Sequence, residues 1–310
     1  MTPHAWIECR NAQERFLAAL FDELWDGYQQ RVPYAAKFVS LVEDAGGRFV
    51  NDHIAFRTIA VQEPQTGIVS LARMFEALGY VPTGCYQFPD KFLSAIHLEH
   101  PNPGFPKLFI SELQSWRLSM SNQRLIADSL ADHRTPLSDA TLRKLAQLDD
   151  EVPAPLLSVA VDWIEALPWP VPEENTVREV AAESQYAAWV LVHGYKVNHF
   201  TALVNALDVP SMPDIDATVS VLRDAGIPLK SEIEGVPGSK LRQTATESVQ
   251  TEVVVMRNGQ PTTIPWSYAY FELAERNDII DPQTGHKHRF EGFLGPQATQ
   301  LFDMTKVKPS

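Results

Sequence analysis

Two histidines in similar local sequences are the residues of this chain best suited to chemistry. The sequence reads NDHIAFR over residues 51–57 and VNHFTAL over residues 197–203, so His53 and His199 each come shortly after an asparagine. A third stretch, YFELAER at residues 270–276, supplies carboxylates. Two imidazoles and one carboxylate form the ligand set of non-haem Fe(II) oxygenases, in which other positions stay open for substrate and O₂. We therefore expect a metal site that uses both halves of the chain.

The pattern around His53 indicates a polar pocket on one face of a strand. Side chains at i, i+2 and i+4 share a face, so His53 and Arg57 point the same way with only Ala55 between them. A half-exposed strand with both side chains in solvent fits this motif equally well. The similar setting of His199 favours the pocket, because duplicated modules bring equivalent strands together.

Several glutamates are candidates for the carboxylate. Glu272 lies in an aromatic stretch predicted as one strand over residues 266–276, and an unpaired carboxylate buried there would be costly without a partner such as a metal. Glu275 comes near the end of that strand. The first half of the chain offers Glu112 at a comparable place, either as a rival ligand or as a group that orients a histidine. The residues alone leave this choice open.

The elements that must position these residues occur twice in the sequence. Each half shows a β-α-β-β-β order, with strands predicted at 49–59, 83–87, 94–98 and 107–112, and again at 196–205, 240–247, 252–256 and 266–276. The helices between them end at Gly79 and Gly226. The histidine precedes that glycine by 26 residues in the first copy (53 to 79) and by 27 in the second (199 to 226), which indicates a repeat.

This organisation predicts an α+β fold made of two βαβββ modules. We expect N-terminal helices over 1–48, the first module over 49–113, a helical insert over 114–194, the second module over 195–295 and a C-terminal tail over 296–310. The whole is expected to form one integrated catalytic domain.

Charge and composition exclude several classes of function. The 310 residues carry a formal net charge of −13, which argues against nucleic acid or an anionic membrane as the main partner. No stretch of about 18 apolar residues is present to span a membrane. The two cysteines, Cys9 and Cys85, stand apart from any metal-binding or disulfide pattern. We therefore expect an intracellular protein of the cytoplasm.

The motifs resemble those of the vicinal-oxygen-chelate superfamily, whose paired βαβββ modules form a cupped sheet around a divalent metal. The stretch 270–276 looks like the last metal-binding strand of 4-hydroxyphenylpyruvate dioxygenase. More closely, NDHIAFRT at 51–58, ISEL at 110–113, NH at 198–199 and RQT at 242–244 resemble the 2-oxoadipate dioxygenase/decarboxylase family. This likeness extends over about residues 10 to 295.

The resemblance implies a role for each candidate residue. It implies that His53, His199 and Glu272 ligate Fe(II) and that Arg57 holds a substrate carboxylate. A looser match makes Gln243 and Thr244 candidates for lining the substrate pocket. Longer members of the family have additional C-terminal segments, so substrate contacts made there do not transfer to this chain.

The resemblance also implies a reaction, in which 2-oxoadipate and O₂ give 2-hydroxyglutarate and CO₂ during lysine breakdown. The 2-oxo acid would chelate the iron, so no added 2-oxoglutarate is needed. Two alternatives stay open. One is a dioxygenase of the same fold for another 2-oxo acid, such as an aryl pyruvate, although Arg57 favours a dicarboxylate. The other is a non-catalytic protein that binds a small ligand.

Overall fold

A computed structural model describes residues 2–134, 137–149, 151–282 and 285–294. The chain begins with two helices, α1 (Ala12–Arg31) and α2 (Pro33–Asp44). The Asn11 side chain accepts a hydrogen bond from the Glu14 N–H and so caps α1, and Pro33 occupies the first turn of α2, where its missing N–H costs nothing. The predicted tail, 296–310, lies outside the described residues.

The first module follows the predicted order. Its elements are β1 (Asn51–Ala60), α3 (Ile68–Ala77), β2 (Val81–Phe88), β3 (Leu93–Glu99) and β4 (Lys107–Gln114). The next stretch is helical, as expected, with α4 (Met120–Leu130), α5 (Asp139–Ala146), α6 (Ala154–Glu165), α7 (Glu174–Glu183) and α8 (Gln185–His193).

The second module contains more strands than the four that the sequence indicated. It comprises β5 (Val197–Leu203), α9 (Ile215–Asp224), β6 (Leu241–Ala245), β7 (Gln250–Arg257), β8 (Gln260–Ser267) and β9 (Glu272–Arg276), followed by the short pair β10 (Asp278–Ile280) and β11 (Lys287–Arg289). The single strand predicted over 266–276 was therefore wrong. It is interrupted between Ser267 and Glu272, and β7 and β8 pair as a separate hairpin.

Side chains from other elements explain the interruption. The Trp189 indole N–H donates to the Tyr268 carbonyl at 2.6 Å, and the Tyr28 hydroxyl donates to the Tyr270 carbonyl. The Phe271 N–H donates to the Thr246 hydroxyl at 3.0 Å. Because these backbone groups bond to side chains, they are not available to a strand ladder.

One mixed sheet of seven strands joins the two modules, in the order β2-β3-β4-β1-β5-β9-β6. The central pair is β1 with β5, antiparallel, so the two histidine strands lie side by side. Each of them also has a parallel neighbour, β4 for β1 and β9 for β5. The α+β fold and the pairing of equivalent strands are thus confirmed.

The N-terminal helices cover one face of this sheet. Phe200, which follows His199 and points to the opposite face, packs against Trp25 and Tyr28 of α1 with ring centroids 5.0 and 4.9 Å apart. Phe49 and Phe271 extend the same aromatic core. One face of β5 is therefore fixed by packing, and the other face is free to carry the site.

Candidate metal centre and active site

Three neighbouring strands bring the proposed ligands together. Thr201 of β5 lies opposite His53 of β1 and opposite Glu272 of β9, so His53, His199 and Glu272 converge on one face of the sheet. The two histidine Nε2 atoms are 3.3 Å apart. Glu272 carboxylate oxygens lie 3.5 Å from His53 Nε2 and 3.4 Å from His199 Nε2. The structure thus brings these three side chains together, and their role as metal ligands stays a prediction.

The donor set has the geometry and the need for a metal ion. Neighbouring donors about 2.0–2.2 Å from one ion are roughly 2.8–3.6 Å apart, which matches the three separations. Glu272 is only 1% exposed, and its Oε2 accepts no hydrogen bond from the residues that the structure describes. A buried carboxylate oxygen without a donor is costly unless a cation meets it. These residues therefore fit a divalent metal, and the geometry does not choose which one.

His53 and His199 have the same tautomer, with the proton on Nδ1, but different residues accept its hydrogen bond. Asp52 accepts a hydrogen bond from His53 Nδ1 at 2.8 Å, because a carboxylate can only accept. His199 Nδ1 bonds to the Asn198 amide oxygen at 3.1 Å. Both contacts leave Nε2 directed at the site, as metal-binding histidines require.

A buried arginine holds the carboxylate behind His53. Arg276 donates from Nε to Asp52 Oδ1 at 2.6 Å and from Nη2 to Oδ2 at 2.8 Å. Burial by itself raises the pKa of Asp52, but the charge of Arg276 and the hydrogen bond from His53 outweigh it and lower that pKa. Asp52 therefore stays ionised and fixes the His53 ring.

Burial controls the protonation of the three candidate ligands in the absence of a metal. It lowers the pKa of His53, against the opposing effect of Asp52, and it lowers the pKa of His199 well below the usual value. Burial, and then the charges of Glu234 and Asp52, raise the pKa of Glu272 well above its usual value. Both imidazoles are thus held neutral, which is the form that binds metals.

Arg57 lies on the same face as His53 and is only 2% exposed. Its guanidinium carbon lies 5.1 Å from the Tyr186 ring centroid and 5.2 Å from that of Trp189, both in α8. The Tyr186 hydroxyl is itself held by the Ser111 hydroxyl at 2.8 Å. Stacking on two rings fixes the plane of the guanidinium and thereby the direction of its donors. The pocket predicted from the strand pattern is present, and the solvent-exposed alternative is wrong.

A small cavity connects the candidate metal ligands with Arg57. About 50 Å³ of it is open to water molecules, enough for a few of them. Besides the ligands and Arg57, its walls include Phe88, Phe109, Ser111, Tyr270, Phe293 and Leu294. The last two belong to the C-terminal end of the described chain, so that end forms part of the site.

Of the two residues predicted from the looser match to line the pocket, Gln243 and Thr244, only the first does so. Gln243 lines the cavity, and its amide donates to Glu234 at 2.8 Å. Thr244 is not among the lining residues, and its hydroxyl donates to the Glu232 carbonyl at 2.9 Å. Alternation along β6 puts these neighbours on opposite faces of the sheet.

The structure also separates the three glutamates. Glu112 accepts the N–H of Ile68, the first residue of α3, at 2.9 Å, and Glu275 accepts the N–H of Ile215, the first residue of α9, at 2.8 Å. They are therefore counterparts in the repeat, and each holds a helix N-terminus. Neither belongs to the group of His53, His199 and Glu272.

The first-module counterpart of Glu272 follows from the strand registers. In β1 the residue two after the histidine, Ala55, lies opposite Phe109. In β5 the residue two after the histidine, Thr201, lies opposite Glu272. Phe109 therefore occupies in the first module the place that Glu272 occupies in the second, so that module has no carboxylate to offer there.

The sequence reasoning missed several residues of the site. Thr201 Oγ lies 3.1 Å from His53 Nε2, and Tyr270 stacks on the His199 ring with centroids 4.8 Å apart. Asp52 had no role in the prediction. Arg276, for which a solvent-exposed pair with Glu275 was the simplest interpretation, is instead buried and pairs with Asp52. Thr201 shares a strand face with His199, so alternation was a usable signal for it, whereas Phe293 had none.

Comparison with known proteins identifies the family. The sequence model of 2-oxoadipate dioxygenase/decarboxylase matches residues 20–288. The chain belongs to the 2-oxoadipate dioxygenase/decarboxylase family. The resemblance drawn from the motifs is thus confirmed, and with it the expectation that the protein is an enzyme.

Individual family members agree with this assignment. The rice protein named 2-oxoadipate dioxygenase/decarboxylase, chloroplastic/amyloplastic (Oryza sativa subsp. japonica), is 30% identical over 94% of this chain and 79% of its own length. The crystal structure of hydroxyglutarate synthase in complex with 2-oxoadipate from Oryza sativa has a TM-score of 0.75 at 27% identity, covering 96% of this chain and 95% of that one.

A structure at lower sequence identity has the same fold. A putative glyoxalase superfamily protein from Ralstonia eutropha JMP134 has a TM-score of 0.79 at 22% identity, covering 92% of this chain and 88% of that one. Within the described part of this family member, none of the helices is both long and apolar enough to cross a membrane.

Proposed function

We propose that this protein is an Fe(II)-dependent dioxygenase that converts 2-oxoadipate and O₂ into 2-hydroxyglutarate and CO₂, as a step of lysine breakdown. The observation that carries the proposal is a buried group of two histidines and one glutamate that shares a small cavity with a buried arginine. Membership of the 2-oxoadipate dioxygenase/decarboxylase family supports the substrate.

His53, His199 and Glu272 would hold the metal, with Asp52 and Asn198 fixing the two rings. Fe(II) held by two histidines and one carboxylate would supply open positions for a 2-oxo acid and O₂. Three neighbouring strands carry the ligands, so their positions are set by the sheet. The residues contribute orientation, and no nucleophilic side chain is required.

Arg57 would bind a carboxylate of the substrate. Its guanidinium stacks between two aromatic side chains of α8, which aligns its donors for a planar, two-point contact with an anion. A cation in a largely apolar cavity attracts an anionic ligand strongly, because few water molecules screen it. A dicarboxylate provides one carboxylate for Arg57 and leaves the 2-oxo acid end for the metal side of the cavity.

Oxygen consumption tests the proposal directly. Protein loaded with Fe(II) under anaerobic conditions should consume O₂ on addition of 2-oxoadipate, releasing one CO₂ and one 2-hydroxyglutarate for each O₂. The double variant His53→Ala/His199→Ala should show no uptake above free iron. Absence of uptake by the iron-loaded wild type would contradict the proposal and favour a non-catalytic binding protein.

A second substrate class is favoured by one observation. Two phenylalanines of the cavity wall, Phe88 and Phe109, offer contacts to an aryl pyruvate. A panel of 2-oxo acids separates the two candidates. A higher kcat/KM for phenylpyruvate than for 2-oxoadipate would overturn the preferred substrate while keeping the metal centre.

We also propose a cytoplasmic location. Cys9 and Cys85 are both free, as thiols in a reducing compartment are. Fractionation of the native cells would test the location, and recovery of the protein in an organelle or an oxidising compartment would contradict it.

A further inference from the structure

The C-terminal segment, residues 290–294, closes one side of the cavity. The Phe293 ring lies edge-on to the His53 ring, with centroids 4.8 Å apart, and 4.9 Å from the Phe109 ring. The ring centroid of His97 on β3 is 5.3 Å away. Phe293 thus stands beside a metal ligand, although it comes about twenty residues after the last one in sequence.

The segment is held by backbone contacts, so the position of Phe293 is defined. Arg276 Nη1 donates to the carbonyls of Phe290 at 3.2 Å and Gly292 at 2.7 Å. The Phe293 N–H donates to the Tyr86 hydroxyl at 3.1 Å. Lys107 of β4 also forms an ion pair with Glu291.

One guanidinium therefore has two functions in the site. The Nε and Nη2 atoms of Arg276 hold Asp52, which orients His53, while Nη1 holds the segment that carries Phe293. Its guanidinium carbon also lies 5.2 Å from the centre of the Phe293 ring. The wall of the cavity and the orientation of a metal ligand share one support.

The other phenylalanine of the segment provides a contrast. The Phe290 ring packs against Lys240, whose ammonium lies 4.4 Å from the ring centroid. Its N–H donates to the Asn277 carbonyl at 3.0 Å. Phe290 does not line the cavity, whereas Phe293 does.

We propose that Phe293 is the specificity-determining residue of the cavity and that Arg276 is the positioning residue that keeps it in place. This inference rests on the proposed function. The Phe293 ring occupies space next to the metal side of the cavity, which a slender aliphatic 2-oxo acid does not need and an aryl pyruvate does. The ring therefore excludes a bulky group on the carbon chain.

The test compares Phe293→Ala with the matched control Phe290→Ala. We expect Phe293→Ala to shift the ratio of kcat/KM for phenylpyruvate over 2-oxoadipate by about tenfold or more towards phenylpyruvate, since even one methylene group in a hydrophobic pocket changes selectivity by about 10- to 200-fold. Phe290→Ala should leave the ratio within about threefold. An unchanged ratio in Phe293→Ala, or an equal shift in both variants, would overturn the inference.

Anaerobic binding separates this inference from the proposed function. With Mn(II) in place of iron, calorimetric Kd values for the two acids should show the same shift in ratio without any turnover. If 2-oxoadipate is turned over but the binding ratio is unchanged, only the specificity role fails. If the ratio shifts and no 2-oxo acid is turned over, only the proposed reaction fails.

Two further variants exclude a merely structural effect. Phe293→Leu keeps an apolar side chain in place and should give a shift between those of the wild type and Phe293→Ala. Arg276→Lys cannot hold Asp52 and two carbonyls together, so it should shift the ratio in the same direction and also weaken Mn(II) binding. The control Arg31→Lys, in a two-point ion pair with Glu165, should do neither. A shift in Arg31→Lys equal to that of Arg276→Lys would contradict the positioning role.

Discussion

The two histidine strands occupy equivalent places in the repeat, yet their surroundings differ. On β1, His53 is oriented by a carboxylate that a buried arginine holds, Asp52 with Arg276. On β5, His199 is oriented by the neutral amide of Asn198 and stacks on the Tyr270 ring. Four residues after each histidine, the first strand carries Arg57 and the second carries Leu203. Both strands thus provide a candidate metal ligand, but only the first adds charged groups.

The parallel neighbours of these strands also differ, but here the charged group belongs to the second module. The position that holds Glu272 on β9 holds Phe109 on β4. The second module therefore gives the carboxylate of the proposed metal centre, while the first gives an aromatic wall. The two modules share a backbone geometry, and under the proposed function their side chains serve metal binding in one and substrate binding in the other.

Removal of a ligand should have the largest effect and should be equal for the two strands. We expect His53→Ala, His199→Ala and Glu272→Gln each to weaken Fe(II) binding by more than about a hundredfold, because even groups that only orient a ligand contribute 10- to 100-fold. Calorimetric titration with metal measures this loss.

Glu112→Gln is the matched control for Glu272→Gln. Glu112 caps α3 instead of lining the site, so the variant should bind metal normally. Loss of metal in Glu112→Gln with retention in Glu272→Gln would reverse the assignment of the carboxylate.

Removal of the Arg57 guanidinium, which has no counterpart on β5, should affect substrate binding. Arg57→Ala should keep the metal and raise KM for 2-oxoadipate roughly tenfold to 150-fold, since a hydrogen bond to a charged group contributes about 1.5–3 kcal/mol. The control is Leu203→Met, which keeps the volume at the equivalent place on β5. Equal increases in KM for both variants would show that the asymmetry between the strands has no role in recognition.

Loss of the residues that orient the two histidines, Asp52 and Asn198, should weaken metal binding by smaller factors. Asp52→Asn should weaken metal binding by about 10- to 100-fold, since it removes the charge that orients His53 and holds Arg276. Asn198→Ala removes a neutral acceptor and should cost less than about tenfold. Metal titration of the two variants side by side ranks them, and the reverse order would contradict a dominant role for the charged support.

The smallest expected effect is on the pH dependence of the free energy of unfolding, through a histidine near Arg57. His193 closes α8, next to Trp189, with ring centroids 4.8 Å apart. Burial lowers the pKa of His193 to about 3, and the charges of Lys196 and Arg31 add to the effect. Below about pH 6.5, His193 is protonated in the unfolded chain but stays neutral in the folded protein. The free energy of unfolding is therefore highest above pH 6.5 and decreases as the pH falls.

Chemical denaturation between pH 4 and 6.5 tests this effect. In His193→Gln, the free energy of unfolding should fall less steeply with decreasing pH, by at most about 1.4 kcal/mol per pH unit. The exposed His288→Gln serves as the control and should keep the wild-type slope. A wild-type slope in His193→Gln would show that this histidine does not make the region acid-sensitive.

The sequence by itself determined the types of most elements, the repeat, and the faces of β1 and β5. Periodicity and strand alternation are local properties, so His53, His199 and Arg57 were correctly oriented before any contact was known. The helix-ending glycines and the spacing to them also follow from the chain alone.

The tertiary structure decided what depends on strand pairing and on distant contacts. Glu272 differs from Glu112 as a candidate ligand only because the registers of β9 and β4 bring a glutamate to the site in one module and Phe109 in the other. The break before β9 arises from Trp189 and Tyr28, far away in sequence.

The same reason applies to Arg276 and Phe293. Their roles depend on hydrogen bonds that join β1, β9 and the C-terminal segment, across as many as 224 residues of sequence. No local pattern encodes which donor meets which acceptor over such separations. Only the folded structure brings the support of His53 and the segment that carries Phe293 onto one guanidinium.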